Sequence, residues 1–461
     1  MTSALLRVWT IIVTKLEAIN LNPLFALPDA NPCPDEDARV PSWHHVDANV
    51  QEALGRNGKY WWDRHGYALA ILLEKSFYSY SDQVKILSFF ARSISPWLGP
   101  VDQSGVVQWK SFMTDDHNPV ELSWDWSTER KPPTIRLSLE PISENAGTKD
   151  VFNEYGPPGF LDALLNASSN HNMEWFNHFN AFFNDGVSIP VDMGHTSKLF
   201  WAFNLVANDL AGKVYFTPRY KAVATGKTNL QIISEAIEAA PLSSHDGLSA
   251  LHMFQEYVKE QTESPLEVEA LAIDLVNPSQ SRLKIYFRSR QTSFESVRDI
   301  MTLHGRLINS KTEKHAAKGL QNLRRLWDGI FNQEGVSDET PLPGSDHETA
   351  GILYYVDFHL GAQMPKVKVY LPVRHYAKND WAVTEAVSSY MSSTLKGLHG
   401  VSYLQENNAP LAFQEAMSDV FGEETLRQGT GKQTYVSCSF QPGGVLRVTS
   451  YINPRIGKAF V

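Results

Sequence analysis

Three short runs in this chain carry a lysine two residues before a tyrosine: "KVYF" from Lys213, "KIYF" from Lys284 and "KVYL" from Lys368. Side chains alternate along a β-strand, so each lysine shares a face with its tyrosine. Val214, Phe216, Ile285, Phe287, Val369 and Leu371 take the opposite face. One such run is an ordinary amphipathic strand with its polar side in water. Three of them suggest a common task. Arg282 sits two residues before Lys284, Arg136 lies in "TIRLSLEP", and Tyr435 and Tyr451 fall in the last two strand-like runs. Cations gathered on one wall select a compact polyanion, of which phosphate is the usual case. Tyrosines among them offer hydroxyl donors and π faces, which stabilise a neighbouring carbocation. A diphosphate beside a carbocation is the chemistry of allylic transfer.

The elements that must position these residues follow from periodicity. Apolar residues recur at helical spacing from Tyr60 to Ile94 and predict two helices ending at "SPWLGP". "GVVQWKSFMT", "PVELSWDW" and "TIRLSLEPI" read as strands. The order helix, strand pair, helix then repeats every 70 to 85 residues or so, longer than the usual solenoid repeats. The pairs are "SKLFWAFNLV" with "GKVYFTP", "ALAIDLV" with "SRLKIYFRS", "ILYYVDFHL" with "KVKVYLPV", and "TYVSCSF" with "VLRVTSYI". The predicted fold class is α+β: ten antiparallel strands in five α-ββ-α units, closed around a polar lumen with helices outside. Residues 46–461 are expected to form this single domain. Residues 1–45 are expected to be an extension, with an amphipathic surface helix near the N-terminus and a proline-rich acidic loop from Asp29 to His45.

The 461 residues carry a formal net charge of −10, which argues against nucleic acid or a polybasic membrane contact. Two cysteines, Cys33 and Cys438, build no disulfide framework and suit a cytoplasmic, reducing setting. No apolar run reaches transmembrane length. "ATGKT" imitates a phosphate-binding loop, but Lys221 stands where its first glycine belongs, so a turn is expected. "DDHNPVE" lacks the second half of a DDxxD magnesium motif, and Asp115 and Asp116 read as a turn. His375 is read as a structural histidine, and Trp61 and Trp62 as core.

Taken together, "WWDRHGYALAILLEKSFYS", "PWLGP", "MTDDHNPVELSWDW", "IRLSLEPI", "KVYFTP", "AVATGK", "SRLKIYFRSR" and "KVYLPVRHYAKND" resemble the dimethylallyltryptophan-synthase type of fungal aromatic prenyltransferase, from about Tyr60 onward. The resemblance implies the prenyltransferase (ABBA) barrel and transfer of a dimethylallyl group from dimethylallyl diphosphate to an electron-rich indole, cyclic dipeptide, phenol or polyketide aromatic by Friedel–Crafts alkylation, in secondary-metabolite biosynthesis. It makes Glu121 the base, with Asp125 on the same strand face. It makes Arg136, Lys213, Arg282, Lys284 and Lys368 the diphosphate cage, and Tyr215, Tyr286, Tyr370, Tyr435 and Tyr451 the cation shield. Trp124 is expected to border the acceptor pocket. No cofactor and no required metal are implied, Mg²⁺ or Ca²⁺ at most enhancing the rate, and the enzyme is expected to be a monomer or homodimer. Two departures stand out. Gln441 replaces a cage cation of some relatives, and Glu260 to Ser281 lacks the arginine with which tryptophan-using relatives could grip a carboxylate. Such relatives also place a lysine on the strand matching "SKLFWAFNLV", where Lys198 does not align. A Mg²⁺-dependent isoprenoid synthase and a non-catalytic isoprenoid-binding barrel are the competing classes.

Overall fold

The structure, a computed structural model, describes residues 40–126, 131–167, 171–184, 197–206, 210–396 and 403–454. The chain divides into two units, Met1–Pro41 and Ser42–Val461. All but the last two residues of the first, including the expected N-terminal helix, lie outside the described residues. The end of the expected Asp29–His45 loop is instead helical, from Pro41 to Val50. Proline suits a first helical position because the amide hydrogen it lacks would have no partner there.

Ten strands alternate with paired helices in the second unit. They are β1 (Val120–Trp126), β2 (Thr134–Leu139), β3 (Leu199–Asn204), β4 (Ala211–Phe216), β5 (Glu267–Asp274), β6 (Leu283–Ser289), β7 (Ile352–Phe358), β8 (Lys366–Leu371), β9 (Gln433–Phe440) and β10 (Leu446–Ile452). Each strand pairs antiparallel with its sequence neighbours, and β10 returns to β1, closing the barrel. Each strand pair follows at least two helices, as Arg56–Lys75 and Tyr80–Phe89 precede β1 and Phe294–Thr302 and Glu313–Phe331 precede β7. The five-unit fold expected from periodicity is therefore present. No helix among the described residues is long and apolar enough to cross a membrane.

The period-two faces explain why the sheet curls with this side inward. Leu122, Trp201, Val214, Phe216, Ile285, Phe287, Val369, Leu371 and Val448 are fully buried under the helices. Their removal from water, about 25 cal/mol per Å² of apolar surface, is the main term holding helices to barrel. The alternate residues are then left to face the lumen.

Three expectations need correction. "GVVQWKSFMT" is no strand. It loops around the buried Glu140 carboxylate, which accepts from the Trp109 indole at 3.0 Å and the Ser111 hydroxyl at 2.6 Å. Side-chain hydrogen bonds there take the place of a ladder. Pro41–His45, expected as loop, belong to a helix, as noted above. Finally, Trp124 lies outside the lumen. Three residues from Glu121, it points to the opposite face, is fully buried, and packs on Trp126 and Phe413 with ring centroids 5.7 and 5.3 Å away. Trp61 and Trp62 are core as expected, and Asp115 and Asp116 form a turn. "ATGKT" is the joint between two helices, with Gly226 at φ 68° closing the first and Thr228 capping the second.

Trp124→Ala should accordingly destabilise the fold by about 3–5 kcal/mol in denaturant titration while leaving the acceptor KM of the folded fraction unchanged. An altered KM at unchanged stability would restore Trp124 to the pocket.

Candidate active site

The lumen residues fall into three tiers, two strand residues apart. Even-numbered strands all run the same way and place the cation before the tyrosine: Lys213 and Tyr215 on β4, Lys284 and Tyr286 on β6, Lys368 and Tyr370 on β8. Odd-numbered strands run oppositely and reverse the order, as in Tyr355 then Asp357 on β7, and Glu121, Ser123 then Asp125 on β1. The β6–β7 register pairs Lys284 with Asp357 and Tyr286 with Tyr355, whereas the β7–β8 register sets Tyr355 opposite Lys368, the stagger expected of tilted strands in a closed barrel.

The first tier is a cationic mouth. Arg136, Lys213, Arg282, Lys284, Lys368 and Arg447 line a cavity of about 650 Å³ together with Tyr215, Tyr286, Tyr355, Tyr370 and Tyr451. Buried carboxylates hold these cations apart. Asp274 accepts from Arg282 at 2.8 Å and from Lys284 at 2.5 Å. Asp125 bonds Arg136, Arg447 and, at 2.8 Å, the Thr449 hydroxyl. Against the upward push of burial, the neighbouring cations hold both carboxyls well below their usual range. The lysines shift the other way. Burial, reinforced by Arg136, lowers Lys368 to about 7, and burial with Arg282 lowers Lys284 to about 8. Lys213, which donates to Asn204 at 2.7 Å, falls well below its ordinary value for the same reasons.

The second tier is aromatic. Tyr286 and Tyr370 have hydroxyls 3.3 Å apart, and Tyr451 reaches Tyr370 at 3.4 Å. Tyr215 and Tyr355 flank Tyr286 with centroids 5.5 and 5.2 Å away. Burial raises every one of these phenols, so all are neutral. Lys368 stands 5.3 Å above the Tyr370 ring, and so links the two tiers.

The third tier is the far end of the lumen. Glu121 accepts from the Thr434 hydroxyl at 2.6 Å, and burial pushes its carboxyl up to about 7. Tyr435, beside Tyr370 at 6.1 Å, also reaches Arg288. Arg374 pairs with Asp115 at 2.9 Å, and both act electrostatically on Glu121. Asp115, His347 and His375 bring possible metal-ligating atoms within 4.8 Å of one another. The Thr349 hydroxyl lies between them, 2.7 Å from His375 and 3.0 Å from His347, and Arg374 supplies the positive charge on Asp115.

All eleven residues expected from sequence as base, cage and shield therefore occupy one lumen: Glu121 in the third tier with Tyr435, Arg136, Lys213, Arg282, Lys284 and Lys368 at the mouth, and Tyr215, Tyr286, Tyr370 and Tyr451 between. Asp125 is an anchor of the mouth. Tyr355, Arg447, Arg288 and the carboxylates Asp274 and Asp357 were not anticipated. Arg447 lines the mouth together with Gln441. Its signal was legible, since "LRVTSYI" places Arg447, Thr449 and Tyr451 on one face. Lys198 lies outside the lumen, against Phe176 and Asn180, while β3 presents Phe200, Ala202 and Asn204 inward, Phe200 stacked on Tyr215 at 4.0 Å.

The family model for tryptophan dimethylallyltransferase matches residues 57–406. The chain is 35% identical over 408 residues to a 4-O-dimethylallyl-L-tyrosine synthase of Claviceps purpurea, covering 86% of this chain and 88% of that protein. It is 29% identical to a 7-dimethylallyltryptophan synthase of Aspergillus fumigatus, covering 86% and 85% of the two chains. The crystal structure of NotF with brevianamide F and DMSPP has the same fold, with a TM-score of 0.74 at 22% identity, covering 91% of this chain and 100% of that one. The closed ten-stranded barrel and these matches agree: the chain belongs to the tryptophan dimethylallyltransferase family and is an aromatic prenyltransferase.

Proposed function

We propose that this enzyme transfers a dimethylallyl group from dimethylallyl diphosphate to the hydroxyl of a phenolic acceptor, without a required metal. The observation that carries this reading is the three-tier lumen, with a cationic mouth, a tyrosine belt and Glu121 beyond it. The diphosphate sits among Arg136, Lys213, Arg282, Lys284, Lys368 and Arg447, which neutralise the charge that grows as the allylic C–O bond breaks. That is the role Mg²⁺ plays in helical isoprenoid synthases. Tyr215, Tyr286, Tyr355, Tyr370 and Tyr451 face the allylic cation with their rings and keep water from capturing it. Glu121 removes the acceptor's proton as its electron pair attacks the cation.

Carbon alkylation needs a second base to take a proton from the arenium intermediate. Oxygen alkylation does not, because the only proton lost is the phenol's. The lumen face of β3 offers Phe200, Ala202 and Asn204 where tryptophan-using relatives place a lysine, and a relative named for O-alkylating tyrosine is 35% identical. Both favour oxygen. NotF, crystallised with brevianamide F and DMSPP, keeps an indole acceptor as the second reading. The buried free thiol of Cys438 suits a cytoplasmic setting.

With dimethylallyl diphosphate and EDTA, a panel of L-tyrosine, other phenols, L-tryptophan and tryptophan-containing cyclic dipeptides should yield an aryl ether from a phenol. Loss of all product on EDTA treatment, restored by Mg²⁺, would defeat the metal-independent reading, and a C-prenylated indole as sole product would replace the acceptor. The pH profile of kcat/KM should rise through about 7 as Glu121 ionises and fall as Lys368, set near 7, and then Lys284, set near 8, lose their protons, leaving a narrow optimum. Glu121→Gln should cost about 10²–10⁴-fold and remove the rising limb while pyrophosphate still binds. Because Lys368 and Lys284 are partly neutral in the empty site near pH 8, pyrophosphate binding there should take up protons and weaken with rising pH. Calorimetry in buffers of different ionisation enthalpy measures that uptake, and a buffer-independent heat would contradict it.

A further inference from the structure

Two buried or half-buried ion pairs beyond the tyrosine belt have no part in the chemistry above. Arg288 follows Lys284 and Tyr286 on the lumen face of β6, two residues past Tyr286 and roughly 7 Å further from the mouth. It is only 4% exposed. Its guanidinium donates to Glu269 at 2.7 Å and to the Thr349 carbonyl at 2.9 Å, and it reaches the Tyr435 hydroxyl. Glu269 owes its position to a β-bulge. The β5–β6 register slips between Val268 and Ala270. Without the slip, Glu269 would share the outward face of Leu271 and Ile273, both fully buried under helices. Bulges commonly re-aim a side chain beside an active site, and this one turns a carboxylate onto Arg288.

A buried ion pair adds little net stability, because desolvation offsets its attraction. Its placement therefore calls for another explanation. Tyr435 connects Arg288 to the neighbourhood of Glu121, whose charge it feels. An acceptor whose reactive atom meets Glu121 under the belt extends its other end past Tyr435 toward Arg288 and Glu269. The separate Arg374–Asp115 pair keeps the surroundings of Glu121 neutral in sum.

Resting on the phenolic reading, we propose that Arg288 and Glu269 form a subsite for the α-amino-acid group of the acceptor, Arg288 taking the carboxylate and Glu269 the ammonium. The zwitterion inserts into the existing pair and each charge exchanges one partner for another, so no net charge is buried. Arg288 keeps its bond to the Thr349 carbonyl and so stays oriented. The acceptor is thereby a free aromatic amino acid rather than a neutral polyketide or a peptide-blocked ring.

The test is titration calorimetry on the full-length protein with saturating pyrophosphate, using L-tyrosine, tyramine, which lacks the carboxylate, and 3-(4-hydroxyphenyl)propanoate, which lacks the ammonium. L-Tyrosine should bind roughly 10- to 100-fold more tightly than either analogue. Arg288→Gln should erase its advantage over tyramine, and Glu269→Gln its advantage over the propanoate, with pyrophosphate affinity retained in both as the check on folding. Equal binding of the three compounds, or ratios untouched by either variant, would overturn the subsite. Turnover separates this from the reaction assigned above. If only indoles are alkylated, the phenolic reading falls, and L-tryptophan, tryptamine and indole-3-propanoate decide the subsite by the same ratios. A preference for the complete amino acid supports it, and equal or absent binding in both series refutes it.

Discussion

Cations facing one another across a closed barrel repel, and the whole site depends on how that repulsion is contained while the lumen is empty. Asp125 and Asp274 do so by dividing the guanidinium and ammonium groups between them. Burial and the neighbouring cations also push the lysine pKa values down, which makes the ammonium charge easier to give up. In the proposed reaction a leaving diphosphate would meet a mouth whose donors are already aimed, and its charge would favour the protonated lysines. Preorganisation of this kind favours the charge-separated state over the intact diphosphate ester, which is where rate acceleration arises.

The tyrosine belt makes the arrangement directional. Phenols with raised pKa values stay neutral beside the cage; as phenolates they would pair with the cations and close the passage. They turn hydroxyls toward one another, and in the proposed reaction their rings would face the allylic cation. The outer face of the same strands is apolar and buried under helices. Chemistry and folding thus use alternate residues of the same strands, and neither can be changed by shifting the chain one position.

This alternation also sets what was legible in the sequence. On β4, β6 and β8, which run in one direction, lysine precedes tyrosine, and the repeated spacing announced the lumen. On β7 the order is reversed, Tyr355 before Asp357, so the lysine–tyrosine spacing does not mark it. Arg288 was hidden differently, since its role depends on the bulge that turns Glu269, and a register slip leaves no mark in residue spacing. Trp124 is the opposite case, because parity alone places a residue three from Glu121 on the apolar face, away from the lumen. "GVVQWKSFMT" had strand-like composition, but its polar residues serve the Glu140 carboxylate, a partner distant in sequence.

The spacing of two residues between tiers has an evolutionary consequence. Single substitutions near Glu121, Arg288 or Glu269 sit a full tier away from the groups that handle diphosphate and the allylic cation. Drift at that end can retarget the catalyst to a new aromatic while the hazardous intermediate stays contained. A one-residue insertion within a strand would instead exchange lining for hull, so diversification in such a barrel is expected to proceed by replacement within strands and by length changes confined to the loops.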